Sequence, residues 1–102
     1  MTYRNQTGSL IAMPNLAHSG EIIHFFASFG AASANERSSL KIFDVSGELI
    51  QIIPTLEGAA SWDLTNRNGQ ISASGIYLAV WDGVDPVSGV SIRKAAKVMV
   101  IH

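Results

Sequence analysis

Short apolar segments separated by turn-forming residues recur along the whole chain, and this spacing predicts an all-β domain. Residues 21–29 are apolar at both odd and even positions, which is typical of a strand in the centre of a sheet. The stretch 30–38 is small and polar, and its alanines support at most one helical turn. The predicted strands cover residues 8–13, 21–29, 40–45, 49–53, 59–63, 75–82 and 90–102.

The loops between these segments contain residues that favour turns. Gly47 lies between the third and fourth segments, so this pair predicts a β-hairpin whose turn uses a positive φ angle. Pro54 has no N–H to give to a ladder and ends the second arm of the hairpin. Asn66, Asn68 and Gly69 tolerate left-handed backbone and predict a tight turn in the loop after the fifth segment.

A few individual residues are predicted to specify how the strands pack. Trp62, which precedes Asp63, is large enough to fill the core between two sheets. Gly75 is expected to let the next strand begin against a crowded neighbour, and the Tyr77 hydroxyl to bond backbone at a sandwich corner. The simplest closed arrangement is an antiparallel β-sandwich of about seven strands, of the immunoglobulin or fibronectin type III class.

Composition limits the function classes. The chain has 102 residues and a net charge of −1, with 47% hydrophobic and 15% charged residues. This length suits one domain over residues 1–102, with residues 1–9 as a flexible or linker-like start. Near-neutral charge gives no electrostatic basis for binding nucleic acid or an anionic membrane. The absence of cysteine excludes disulfides and thiolate metal sites.

The apolar runs of the chain are too short for a membrane span or a secretory signal. No run approaches the roughly 18 to 20 apolar residues that cross a bilayer, so we expect no membrane insertion. Residues 1–10 are polar and lack the apolar centre of a secretory signal. If the parent protein is secreted, we expect its signal peptide upstream of this sequence.

Several sequence blocks occur in a characteristic order. Pro14-Asn15 precedes the second segment, IFDVSGELI covers residues 42–50, and WDLTNRNGQISASGIY covers residues 62–77. The most apolar stretch of the final strand begins directly after Lys97. This order resembles the C-terminal sorting domains of the type IX secretion system and the immunoglobulin-like domain of the flagellar hook-capping protein. The resemblance covers roughly nine-tenths of the chain.

The chain departs from that family pattern at two positions. Leu16 stands where the family usually writes proline after Pro14-Asn15, and Leu64 stands where it often writes glycine after Trp-Asp. The resemblance implies a module at the C-terminus of a bacterial cargo protein, extracellular or at the cell surface. The secretion machinery would read the module, which is then removed or used for surface attachment, and His102 ends the chain as that role requires.

The basic end of the chain is the most informative surface feature. No acidic residue follows Asp85, whereas Arg93, Lys94 and Lys97 are all basic. One interpretation is an edge strand whose lysines prevent unwanted strand pairing. The other is a recognition strand read by edge pairing or by charge. The predicted recognition residues are Arg93, Lys94, Lys97, Val98 and Val100.

No residue pattern indicates catalysis. His18, His24 and His102 form no spacing typical of zinc ligands, and no nucleophile elbow, phosphate loop or pair of catalytic carboxylates is present. We therefore expect a protein that is not an enzyme and that needs no cofactor. Calcium binding by the oxygen-rich loop at Asn66 and Asn68 is a weaker alternative to local Asx-turns.

Three functions remain open. The first is a secretion-sorting or surface-attachment module whose partners are the secretion or attachment machinery. The second is a structural assembly module, such as a filament subunit or adaptor, in which residues 1–9 pair with a neighbouring subunit. The third is a carbohydrate-binding module that presents Trp81 on an exposed face, opposite the face of Ile76, Leu78 and Val80.

Overall fold

The computed structural model describes residues 9–28, 39–56, 58–84 and 91–102, which form strands and no helix. The predictions for the start of the chain, the loop at 30–38 and the turn around Pro86 lie outside the described residues. The described strands are β1 (Ser9–Met13), β2 (Leu16–His18), β3 (Ile23–Ser28), β4 (Ser39–Asp44), β5 (Leu49–Pro54), β6 (Ala59–Trp62), β7 (Gly75–Val84) and β8 (Ser91–Ile101).

These strands form two sheets, which confirms the predicted β-sandwich. One sheet has three strands in the order β1-β3-β6, and the other has five in the order β2-β8-β7-β4-β5. The predicted central strand, β3, does lie between two neighbours. The pairing of β4, β7 and β8 in one sheet, with β1, β3 and β6 in the other, is the arrangement of the immunoglobulin-like class.

The chain passes from one sheet to the other at Pro14, where the Met13–Pro14 peptide bond is cis. Strand β1 pairs with β3, whereas β2, which follows immediately, pairs in parallel with β8. Strand β2 is the addition to the seven predicted strands, and its pairing is the one parallel pair among the described strands. Three residues are too few for a periodic pattern, so β2 could not be predicted from periodicity.

The core lies between the two sheets and follows the period of two that each strand imposes. In β3, for example, Ile23 and Phe25 are fully buried, whereas His24 and Phe26, which alternate with them, are exposed. The buried apolar residues are Ala17, Ile23, Phe25, Leu40, Ile42, Ile53, Ala60, Trp62, Leu64, Tyr77, Ala79, Trp81, Val98 and Val100.

The predicted hairpin is formed by β4 and β5, and Gly47 in its turn has a φ of 91°. The outer edge of β5 is protected against further strand pairing. The Ile52 N–H donates to Oε1 of Gln51, at 3.1 Å, and Pro54 has no N–H. Neither of these two positions offers a free donor to another strand, which disfavours edge-to-edge pairing at this end of β5.

Candidate functional site

The final strand, β8, pairs with β7 along most of its length and lies between two strands of the larger sheet only at its end. It pairs with β7 from Ser91 to Val100, and Met99 to Ile101 pair with β2 on the other side. Strand β8 is therefore part of the framework of the sandwich. Removing it would take Val98 and Val100 out of the core, where both are almost fully buried.

The structure divides the predicted recognition residues into two groups. Arg93 and Lys97 are exposed, and Lys94 is half-buried. Val98 and Val100 face the core, so their prediction as recognition residues is corrected, because their side chains are not exposed on the folded domain. The exposed residues of β8 all lie on the outward side of the larger sheet, where the period of two places every second side chain.

That outward side is more apolar than is usual for a sheet face that meets solvent. Antiparallel sheets usually present polar residues to solvent on the face away from the core. Here six large apolar side chains are between 37% and 44% exposed, namely Leu16, Ile52, Ile76, Leu78, Met99 and Ile101. We define the outer face as the outward side of the five-stranded sheet, which carries these six residues together with Lys41, Phe43, Asp82, Arg93 and Lys97.

Strand register places the outer-face residues in rows across the sheet. Met99 lies between Leu16 on β2 and Ile76 on β7. In the next row along β7, Leu78 lies between Lys97 on β8 and Phe43 on β4. Neighbouring residues in such rows touch through their side chains. The apolar surface is therefore continuous across the sheet, and Lys97 lies at the β8 end of the second row, where β2 no longer pairs.

The other charges of the outer face are concentrated at one end. The Asp82 carboxylate contacts two cations, Nε of Arg93 at 2.7 Å and Nζ of Lys41 at 3.9 Å. Lys97, by contrast, forms no ion pair within the part of the chain that the structure describes. Sequence reasoning found the basic residues of β8, but it did not pair them with Asp82, because cross-strand register is set by the fold.

The oxygen-rich loop after β6 forms local turns, as the preferred alternative predicted. Oδ1 of Asn66 accepts hydrogen bonds from the N–H groups of Asn68, at 2.9 Å, and Gln70, at 3.0 Å. Oδ1 of Asp63 accepts from the Thr65 hydroxyl at 2.6 Å. Across the described ranges no group of three His, Cys, Asp or Glu side chains that could hold a metal ion occurs. The Oδ1 atoms of Asn66 and Asp63 already accept hydrogen bonds.

Side chains from the core hold this loop in place. The Trp62 Nε1–H donates to the carbonyl oxygen of Thr65 at 2.9 Å. The Gln51 side-chain amide donates to the carbonyl oxygens of Thr65, at 3.2 Å, and Asn66, at 3.0 Å. Trp62 is also buried, as predicted, and packs edge to face against the Tyr77 ring with centroids 5.2 Å apart. The loop is thus attached to both sheets.

Tyr77 forms the predicted corner. Its hydroxyl donates to the carbonyl oxygen of Ala73, four residues earlier, at 2.5 Å. Burial raises the pKa of the Tyr77 hydroxyl above its ordinary value, because an ionised phenolate would lose its hydration. The proposed reason for Gly75 is wrong: a Cβ there would meet no atom within 4 Å, so no crowded neighbour requires glycine.

Leu64 has a backbone conformation that usually belongs to glycine. Its φ is 70°, and among the described residues it is the one non-glycine residue with a positive φ. The side chain is nevertheless almost fully buried in the core. The leucine therefore adopts a left-handed conformation that glycine usually takes. It contributes apolar burial that offsets the steric cost of this conformation.

The carbohydrate-binding prediction for Trp81 is wrong. Trp81 is 0% exposed, because the face it shares with Tyr77 and Ala79 is the core face. The sequence pattern separated the two faces of β7 correctly but left open which of them is exposed. Both faces are apolar, so alternation alone did not identify the inner side.

The histidines have structural contacts. Nδ1 of His24 lies 3.1 Å from the Ser61 hydroxyl on the outward side of the smaller sheet. The His102 ring contacts the Ser19 hydroxyl through Nδ1 and the carbonyl oxygen of Ser72 through Nε2. These contacts fasten the end of β8 to two loops of the sandwich.

Comparisons with known proteins show a similarity of fold. No protein-family model and no curated protein matches the chain. A solved structure that matches is PorZ of Porphyromonas gingivalis, described as an essential bacterial surface component of the type IX secretion system. The match has a TM-score of 0.61 and 23% identity. It covers 91% of this chain but 11% of PorZ, so the chain corresponds in fold to a small part of that protein.

Proposed function

We propose that this chain is a non-catalytic module of a secreted or surface bacterial protein and acts in secretion sorting or surface attachment. The observation that carries the proposal is the fold similarity to part of PorZ, a surface component of a type IX secretion system. The sequence blocks at 42–50 and 62–77, which resemble type IX sorting domains, support it independently.

The structure of the domain suits recognition in the folded state. The last residues of β8 are held on both sides, and His102 is fastened to Ser19 and Ser72. A partner would therefore meet this part of β8 as part of a sheet surface. The described ranges contain no helix long and apolar enough to span a membrane.

Export of a reporter protein tests this function. The reporter is fused upstream of the complete chain and produced in a bacterium that has type IX secretion and in a matched strain without it. We expect export in the first strain and retention in the second. The reporter without the domain, and the fusion carrying Trp62→Ala, which disrupts the core, should both remain inside the cell.

Deleting β8 would not be an informative test, because the loss of its buried valines would unfold the sandwich. Surface substitutions that leave the core intact are needed instead. If the complete fusion stays inside the secretion-competent strain while the domain is folded, the sorting function is wrong.

A structural assembly module is the second candidate. The observation that favours it is the presence of exposed apolar residues on the outward sides of both sheets, including Ile11 and Phe26 on the smaller one. Such surfaces mark protein contacts. Concentration-dependent oligomers of the purified chain, together with no export, would favour this function over sorting.

A further inference from the structure

We propose that the outer face is a docking surface for a protein partner that presents an apolar surface with a carboxylate placed opposite Lys97. This inference deepens the proposed function, because it names the chemistry of the partner that reads the domain. It is carried by the apolar rows of the larger sheet and by the uneven distribution of charge along them.

The apolar part of the surface extends over two neighbouring rows of the larger sheet. Leu16, Met99 and Ile76 form one row, and Leu78 continues the surface toward β4. Each of these four side chains remains more than one-third exposed. Contiguous exposed apolar residues with a polar border are typical of protein interfaces.

Lys97 determines the kind of partner. It lies beside Leu78 at the end of that row, one pleat from Met99, and has no ion-pair partner among the described residues. A docked surface would remove water from its ammonium group, and burying a charge without compensation is costly. A carboxylate on the partner would supply that compensation and would fix the register of docking.

A second copy of this chain is a poor occupant of the same surface. The described outward side carries three cations, Lys41, Arg93 and Lys97, against the single carboxylate of Asp82. Two such faces placed together would bring cations against cations. This repulsion disfavours self-association and leaves the apolar rows to a different protein of opposite charge.

A membrane surface is also a poor occupant. Binding to anionic lipid headgroups relies on clusters of several basic residues. Of the three cations here, Lys41 and Arg93 are already in contact with Asp82. A single remaining lysine on a sheet with exposed Leu78 and Met99 fits one carboxylate better than it fits a lipid bilayer.

Two synthetic amphipathic helical peptides of equal length test the stated chemistry. One presents leucines beside glutamates and the other leucines beside lysines, and each is titrated with the complete purified chain. We expect the Leu/Glu peptide to bind at least about tenfold more tightly. Lys97→Glu should reverse that preference, and Leu78→Gln should weaken binding to both peptides.

Phe26→Gln is the matched control, because Phe26 is about as exposed as Leu78 but lies on the outward side of the smaller sheet. It should leave both affinities unchanged. Thermal unfolding of every variant checks that the domain still folds. Equal affinity for the two peptides, no binding to either, or an equal loss in Phe26→Gln would each overturn the inference.

Two further outcomes would assign the surface to another occupant and overturn the inference. One is binding to phosphatidylglycerol vesicles that depends on Lys97 when neither peptide binds. The other is a dimer in sedimentation that Leu78→Gln abolishes.

The export assay then separates this inference from the proposed function. If the unmodified fusion is exported, we expect Leu78→Gln and Lys97→Glu to reduce export about tenfold and Phe26→Gln to leave it unchanged. Equal export of all three variants would overturn the docking surface and leave the sorting function standing. Absence of export from the unmodified fusion would reject the sorting function, and the peptide titrations alone would then decide the docking surface.

Discussion

Two turns of this domain have the same five-residue geometry but differ in charge. Residues 44–48 (DVSGE) join β4 to β5, and residues 66–70 (NRNGQ) lie in the loop after β6. In each turn the first N–H donates to the fifth carbonyl oxygen, and the fourth N–H donates to the first carbonyl oxygen. The first side chain accepts from the third and fifth N–H groups.

The fourth residue is glycine in both turns, with φ of 91° at Gly47 and 81° at Gly69. The difference between the turns lies in what surrounds them. The Asp44 carboxylate takes its hydrogen bonds from Ser46 and Glu48 within the turn itself. The Asn66 turn is additionally held by side chains from the core. The same local pattern therefore serves once as an independent hairpin turn and once as part of the tertiary structure.

The largest expected loss of stability comes from a substitution that detaches the Asn66 turn from the side chains that hold it. Trp62→Ala removes the hydrogen bond to the Thr65 carbonyl oxygen and leaves a cavity where the ring packs on Tyr77. We expect a loss of about 3 to 5 kcal/mol in the free energy of unfolding, measured by urea denaturation. Trp62→Phe keeps most of the ring and should lose less, and an equal loss would contradict the role assigned to packing.

The next largest loss of stability is expected from substituting either of the two turn glycines, and the two variants compare the turns directly. A Cβ at Gly47 or at Gly69 would meet no atom within 4 Å, so substitution by alanine costs only the left-handed backbone conformation. We expect Gly47→Ala and Gly69→Ala to lower the unfolding free energy by about 1 to 2 kcal/mol each, and by similar amounts. Urea denaturation of both variants checks this. A much larger loss at one position would show that the two backbones are not equivalent.

Leu64 sharpens the comparison, because it precedes the Asn66 turn and has no counterpart beside the Asp44 turn. Leu64→Ala and Leu64→Gly both remove the buried side chain, but only glycine relieves the positive φ of 70°. We expect Leu64→Gly to be more stable than Leu64→Ala by about 1 kcal/mol, the reverse of the usual order. Thermal unfolding of the two variants is the measurement, and the usual order would show that the backbone here is unstrained.

Local sequence signals predicted both turns and most of the strands. The glycines at 47 and 69, the prolines and the period of two act over a few residues, so the sequence displays them directly. The core position of Trp62 and the corner made by Tyr77 were also predicted, because a large aromatic side chain in such a strand usually packs in the core.

The features that the sequence did not reveal depend on which strands become neighbours. Strand β2 pairs with a strand more than eighty positions away along the chain, and Asp82 meets Arg93 through the register of β7 and β8. The buried side of β7 could not be identified either, since Ile76 and Trp81 lie on opposite and equally apolar faces. For the same reason, the residues of the outer face could be identified only from the strand order and register of the folded sheet.

The smallest expected effect is the difference in how the two turns make the stability of the fold depend on pH. Hydrogen bonds from the Ser46 side chain and from the Glu48 N–H favour the ionised Asp44 carboxylate and hold its pKa below its ordinary value. A lowered pKa in the folded state means that protons bind more readily to the unfolded chain. This contribution to stability is therefore present at neutral pH and is lost as the pH falls below about 4.

Exchanging the two side chains tests this assignment. Asp44→Asn replaces the titrating acceptor with a neutral one and should flatten the acid side of the stability profile, measured as thermal midpoints from pH 7 down to about pH 2. Asn66→Asp places a carboxylate among the same two N–H donors and should steepen the profile. The double exchange should restore a profile close to that of the unmodified chain, because the number of such carboxylates is unchanged. If Asp44→Asn left the profile unaltered, the turn carboxylate would not be a source of the acid sensitivity, and the two turns would be equivalent in charge as well as in geometry.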